Sequence, residues 1–86
     1  YEKKYGWSEV YQLGIFFEGI GVLLRRKLID IELVDDLFTA PVKLTWEKVK
    51  PIAEELRKRG LLTAWEWFEY LYNELQKREQ ALQAQK

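Results

Sequence analysis

Leu13-Gly14-Ile15-Phe16-Phe17-Glu18-Gly19-Ile20-Gly21-Val22-Leu23-Leu24, followed at once by Arg25-Arg26-Lys27, is the most apolar run in this chain. It is too short for a membrane span, which takes roughly 18 or more apolar residues, and Glu18 interrupts it. It reads instead as the central helix of a small helical domain, over about residues 8–28, with Ser8 as N-cap and Glu9 in the first turn. At about 100° per residue, Val10, Leu13, Phe16, Phe17, Ile20, Leu23, Leu24 and Leu28 share one broad face, the expected core face. A narrower stripe of Tyr11, Ile15 and Val22 lies nearly opposite. Gly14, Gly21, Glu18 and Arg25 separate the two on one edge, and Gly19 with Arg26 on the other. Each glycine inside a helix costs about 1 kcal/mol relative to Ala, so close approach of another backbone is expected at them. A broken or strand-like geometry is the other reading.

Outward from this run, Tyr1 to Trp7 read as an irregular lead-in. Asp30 caps a short second helix over 30–38, with Glu32 in its first turn and Ile29 stapled on Val34. Leu33, Val34, Leu37 and Phe38 form its apolar face, with Asp35 and Asp36 in water. Pro41 suits the first turn of a third helix over 41–59, whose inward side is Val42, Thr45, Trp46, Val49, Ile52, Ala53 and Leu56. Pro51 falls on the opposite side, so the helix is expected to continue through it and stop at Gly60. Thr63-Ala64-Trp65-Glu66 fits a capping box that opens a fourth helix over 64–82, with Leu62 stapled on Trp67. Its inward stripe is Ala64, Trp67, Phe68, Leu71, Leu75 and Leu82; within it the spacing Ala64, Phe68, Leu71, Leu75, Leu82 is heptad-like but short for a coiled coil. Residues 83–86 read as a frayed tail. The expected architecture is all-α: a single domain over 8–82, a small four-helix bundle with short connections.

Composition narrows the chemistry. The 86 residues hold 14 Lys and Arg against 14 Asp and Glu, which removes the simple electrostatic case for nucleic acid or anionic lipid. There is no Cys, so disulfides, thiolate nucleophiles and Cys-based zinc sites are excluded, and no His, the commonest general base and metal ligand. Glu54-Glu55, Asp35-Asp36 and Glu66 with Glu69 are carboxylates without a partner His, which is what a charged surface also provides. Glu18 alone in an apolar run could serve an acid-dependent hydrolase; the plainer reading is that it reaches solvent or pairs with a cation of another helix. No catalytic residue, metal site or cofactor is assigned, and the chain reads as a non-enzyme.

Two basic triplets, Arg25-Arg26-Lys27 and Arg57-Lys58-Arg59, could touch phosphates of lipid headgroups or nucleic acid. Both also end predicted helices, where cations are favoured anyway. A helix-turn-helix would offer Pro41-Val42-Lys43-Leu44 to base edges, a poor reader. Trp46, Trp65 and Trp67 could line a ligand pocket, although core filling is the commoner use. The Tyr11/Ile15/Val22 stripe is different, because a monomer need not cover it; an exposed apolar stripe marks a partner surface, protein or self.

The motifs Phe16-Phe17-Glu18-Gly19-Ile20-Gly21-Val22-Leu23, then Leu28-Ile29-Asp30, Val34 and Leu37-Phe38, together resemble a prokaryotic family, domain of unknown function 4760. Trp46-Glu47, Pro51, Arg57 and Phe68-Glu69 extend the resemblance over roughly Ile15 to Leu75. Members often carry N-terminal transmembrane helices ahead of this region, and the family has no established activity. The chain begins at Tyr1 and has no Met, which reads as a piece of a longer protein. The resemblance therefore implies a soluble, cytoplasmic helical tail of a membrane-anchored protein, touching the membrane only through a preceding region. The leading expectation is a non-enzymatic protein-interaction module, possible homodimerisation included. The alternative is an electrostatic binder working through the two basic helix ends.

Overall fold

The computed structural model describes residues 7–85, with residues 7 and 8 described by backbone alone. Among the described residues there are three helices: α1 (Trp7–Arg25), α2 (Ile31–Lys58) and α3 (Glu66–Ala84). The expected lead-in thus lies outside the described residues, except that Trp7 is already helical and Ser8 sits inside the helix rather than capping it. The expected frayed end is also helical, as far as Ala84.

The four-helix expectation fails at Pro41. Residues 30–38 and 41–59 do not form two helices; one 28-residue helix runs through both Pro41 and Pro51. A helix-interior proline forfeits one hydrogen bond and crowds the carbonyl four residues back, at about 3 kcal/mol. Pro41 and Leu37 are both exposed, as are Pro51 and Glu47, so each freed carbonyl can turn to water. Continuity is enforced by packing. Val34, Phe38, Val42, Thr45, Trp46, Val49 and Ala53 stay in one helical phase across Thr39–Pro41, all but the half-buried Phe38 fully buried. A break there would throw one half of that stripe out of the core. Leu33 and Leu37, expected on the inward face, are exposed instead.

The ends follow local rules where the residues allow. Asp30 caps α2 as expected, its carboxylate accepting Leu33 N–H at 2.9 Å. At the end of α2, Gly60 takes the left-handed φ of 104°, Leu61 N–H donates to the Leu56 carbonyl and Gly60 N–H to that of Arg57. The end of α1 repeats this hydrogen-bond pattern, with Leu28 N–H on Leu23 and Lys27 N–H on Leu24. There the left-handed position is taken by Lys27, at φ 63°, so α1 stops at Arg25 rather than at residue 28, and Leu28 is exposed rather than in the core.

The expected capping box is not formed. α3 begins at Glu66, two residues later than expected, behind Trp65 in a left-handed conformation with no side-chain cap. Thr63 lies in the preceding turn and only its carbonyl is used, accepting Glu66 N–H. Leu62 is 77% exposed and staples nothing.

α2 and α3 pair antiparallel. Trp46 meets Phe68 and Tyr72, Arg57 reaches Ala64 and Glu69, and Asp35 reaches Arg78. α1 crosses the start of α3 in the same sense, with Gly14 against Trp65 and Gly21 against Trp67. Phe17, Phe68, Trp46, Val34, Val42, Val49, Leu71 and Leu75 form the common core. Each such side chain contributes about 1.5–3 kcal/mol of burial. Among the described residues no buried side-chain polar atom lacks a partner.

Candidate interaction surface

The side of α1 that faces the core is not the one hydrophobicity alone selects. Val10, Gly14, Phe17 and Gly21 are buried, and Ile20 and Leu24 are half-buried. Leu13, Phe16 and Leu23, all expected in the core face, are exposed; Phe16 is 47% exposed even with its ring against Phe17 and Phe38. The cause is Gly21. A Cβ built there would stand 2.0 Å from the Trp67 carbonyl oxygen, so the two backbones touch with no side chain between them. Gly14 makes similar room for the Trp65 ring, whose nearest carbons lie 3.0 Å from its would-be Cβ. This contact rotates the buried face toward the glycine edge by about 70° on a 100°-per-residue wheel.

The same crossing gives Glu18 its place. Half-buried, it accepts the backbone N–H of Phe68 at 2.8 Å, in the first turn of α3. That turn has no cap of its own, and a carboxylate is favoured at the positive end of the helix dipole. Glu18 is therefore a cap supplied by a different helix. Among the described residues it pairs with neither a Lys nor an Arg, and this role was invisible in the sequence because nothing local links residues 18 and 68.

Of the two basic triplets, the first, Arg25, Arg26 and Lys27, is exposed, and Arg25 and Arg26 flank Trp67 beside Val22. In the second triplet Arg57 is occupied within the domain. Its guanidinium donates twice to the Ala64 carbonyl, at 3.0 and 2.8 Å, and pairs with Glu69 at 3.0 Å. It thereby ties the end of α2 to the start of α3. Arg59 pairs with Glu55 one turn back, and Lys58 is exposed. The three tryptophans do not share a pocket: Trp46 fills the core, Trp65 covers Gly14 beside Tyr11, and the Trp67 ring meets Tyr70.

The carboxylates are spread in the same way. Asp35, expected in water, is half-buried and accepts from Thr39 and from Arg78 at 2.8 Å. The Thr39 hydroxyl first, and then the Arg78 guanidinium, hold its carboxyl below the usual range. Lys43 pairs with Glu79 nearby, completing a polar seam between α2 and α3. Among the described residues no three carboxylates gather as a metal site, and no helix is long and apolar enough to cross a membrane.

What remains exposed and apolar on α1 is its outward side. Ile15 is 51% exposed, Tyr11, Phe16 and Leu23 are exposed with it, and Val22 is half-buried beside Trp67. The expected Tyr11/Ile15/Val22 stripe is one flank of this surface, and the displaced Phe16 and Leu23 are the other. A family model described as "Domain of unknown function (DUF4760)" matches residues 7–75, which span α1, α2 and the first half of α3. The chain belongs to the DUF4760 family. The matched segment of this DUF4760 domain contains the Gly21–Trp67 contact, the Glu18 cap and the outward side of α1. Searches of curated proteins and of solved structures find no match.

Proposed function

We propose that this DUF4760 domain is a non-enzymatic helical interaction module whose working surface is the outward side of α1. One observation carries the reading: α1 carries apolar residues on two faces, and among the described residues only one of these faces is covered. Exposed apolar surface of this kind marks a protein contact. Gln12 lies at the middle of that surface and is itself exposed. A photocrosslinking residue at Gln12 of the full-length protein, in its own cells, is expected to trap a protein; the same probe at the exposed Glu54 of α2 is the control. No adduct at Gln12, or equal adducts at both positions, overturns the reading.

In the full-length protein we place this module in the cytoplasm behind an N-terminal membrane anchor, as the family resemblance implies. Support for that is the resemblance alone. The full-length product is expected to sediment with membranes and to resist extraction by high salt. Its recovery in the supernatant overturns the anchoring.

A further inference from the structure

Three glycines interrupt α1, and only two of them are used by the described residues of the domain. Gly14 is filled by Trp65 and Gly21 by Trp67, whereas nothing lies within 4 Å of a Cβ built on Gly19. That glycine costs the helix about 1 kcal/mol with no return from its own fold. It stands at the centre of the outward side, with Phe16 and Leu23 to one side and Ile15 and Val22 to the other.

We infer that a second copy of this chain covers this surface, the two α1 helices crossing antiparallel with Gly19 of both at the crossing point. The inference rests on the interaction-module reading and names its occupant. Positions 15 and 23, 16 and 22, and 12 and 26 are equidistant from 19. An antiparallel two-fold pairing therefore sets Ile15 opposite Leu23 of the second copy, Phe16 opposite Val22, and Gln12 opposite Arg26, each contact made twice. The absent side chain at 19 lets the backbones approach while the four flanking apolar residues interdigitate.

Charge selects the antiparallel sense. α1 has Glu9 in its first turn and Arg25 in its last, with Arg26 and Lys27 following. Antiparallel pairing lays each acidic start against the basic end of the other copy and opposes the two helix dipoles favourably. Parallel pairing would stack the basic ends together. The formal net charge of zero leaves no long-range repulsion between copies. The outward side is also diametrically opposite Val10 and Phe17, so α2 and α3 lie clear of the contact. One helix pair buries about 1,000 Å² in total, the lower end for a specific contact, so the association is weak and concentration-dependent.

Because the chain has no Cys, introduced thiols report without background. Carrying Gln12→Cys and Arg26→Cys together, it is expected to give a covalent dimer with a short bismaleimide. Either substitution alone should give none, since the two copies of position 12 would be separated by about 21 Å along the helices. Gly19→Gln should weaken the dimer at least tenfold in sedimentation equilibrium while raising the thermal stability of the dilute monomer. A loss of both would mark a folding defect; Ile15→Glu, at an exposed position, then decides, and unchanged association in it overturns the proposal. A strict monomer at millimolar concentration overturns the second copy, as does crosslinking by Gln12→Cys alone, which would mean a parallel contact. If the monomer is strict but Gln12 still traps another protein in cells, the interaction reading stands and only its occupant is wrong.

Discussion

The Glu18 carboxylate on α1 accepts the Phe68 backbone N–H on α3 at 2.8 Å, a bond that joins positions 50 residues apart. α3 starts behind Trp65, which has no hydrogen-bonding cap to offer, so the side-chain acceptor for its first turn comes from α1 and adds to the acidic Glu66 and Glu69 already there. Glu18→Ala should therefore cost about 1–2 kcal/mol, the worth of a lost N-cap with a charged acceptor. In a domain of this size that is roughly 5–15 °C in Tm, read by circular dichroism. Glu18→Gln keeps an acceptor without the charge and should lose about half as much. Equal losses for both would show that the charge, not the hydrogen bond, carries the effect.

The three glycines of α1 should separate under substitution by Ala. Gly21→Ala places a methyl 2.0 Å from the Trp67 carbonyl, a backbone atom that can move only if the helices part, so a loss of at least about 3 kcal/mol is expected. Gly14→Ala meets only the rim of the Trp65 ring, which can give, and should change stability by less than about 1 kcal/mol. Gly19→Ala meets nothing and should stabilise the monomer by up to about 1 kcal/mol. Urea midpoints measured at low protein concentration test the order.

Arg57 spans the turn between α2 and α3 with two bonds to one carbonyl and an ion pair to Glu69. Arg57→Ala should cost about 1–2 kcal/mol, mostly through the Ala64 carbonyl left without its donors, since the part-exposed ion pair is itself worth little. Arg57→Lys should recover little of it, because an ammonium cannot reproduce the fork. Faster amide exchange near residues 61–66 is the local signature to look for.

Asp35 makes stability depend on acid. Its carboxyl titrates below the usual range because Thr39 and Arg78 donate to its charged form. As pH falls, the unfolded chain takes up that proton first, near pH 4, and the folded chain only later. The contribution is thus fully present above about pH 4 and lost as pH falls through the lower folded value. Denaturation curves from pH 6 downward should show a loss that Asp35→Asn shares only in part. An identical slope in the variant would mean that other carboxylates account for all of it.

Much of this domain was legible locally. Asp30, Gly60, the inward stripe of Val42 to Ala53 and the passage through Pro51 follow from capping preferences and helical phase, both properties of short windows. Pro41 suits a helix's first turn, although Val34, Phe38, Val42 and Trp46 hold one phase across it. That signal was present in the sequence, and it outweighs the proline because seven in-phase core positions are worth more than one forfeited hydrogen bond. The capping box misled for a similar reason. Thr63 and Glu66 have the right spacing, but the chain enters α3 through a left-handed Trp65, and the cap is delivered from α1.

The sequence by itself determined that the chain is helical, where α2 ends, and that no Cys or His chemistry is available; the backbone approach expected at the α1 glycines holds at Gly21 alone. Only the tertiary structure decided which side of α1 is inward, what Glu18 holds, and which glycine is left open. Hydrophobicity ranks the faces of a helix by side chain, and on that scale a glycine edge cannot outrank Leu and Phe. Backbone contact depends on where side chains are missing, and which partner fills the gap is settled only when α3 packs Trp67 against Gly21.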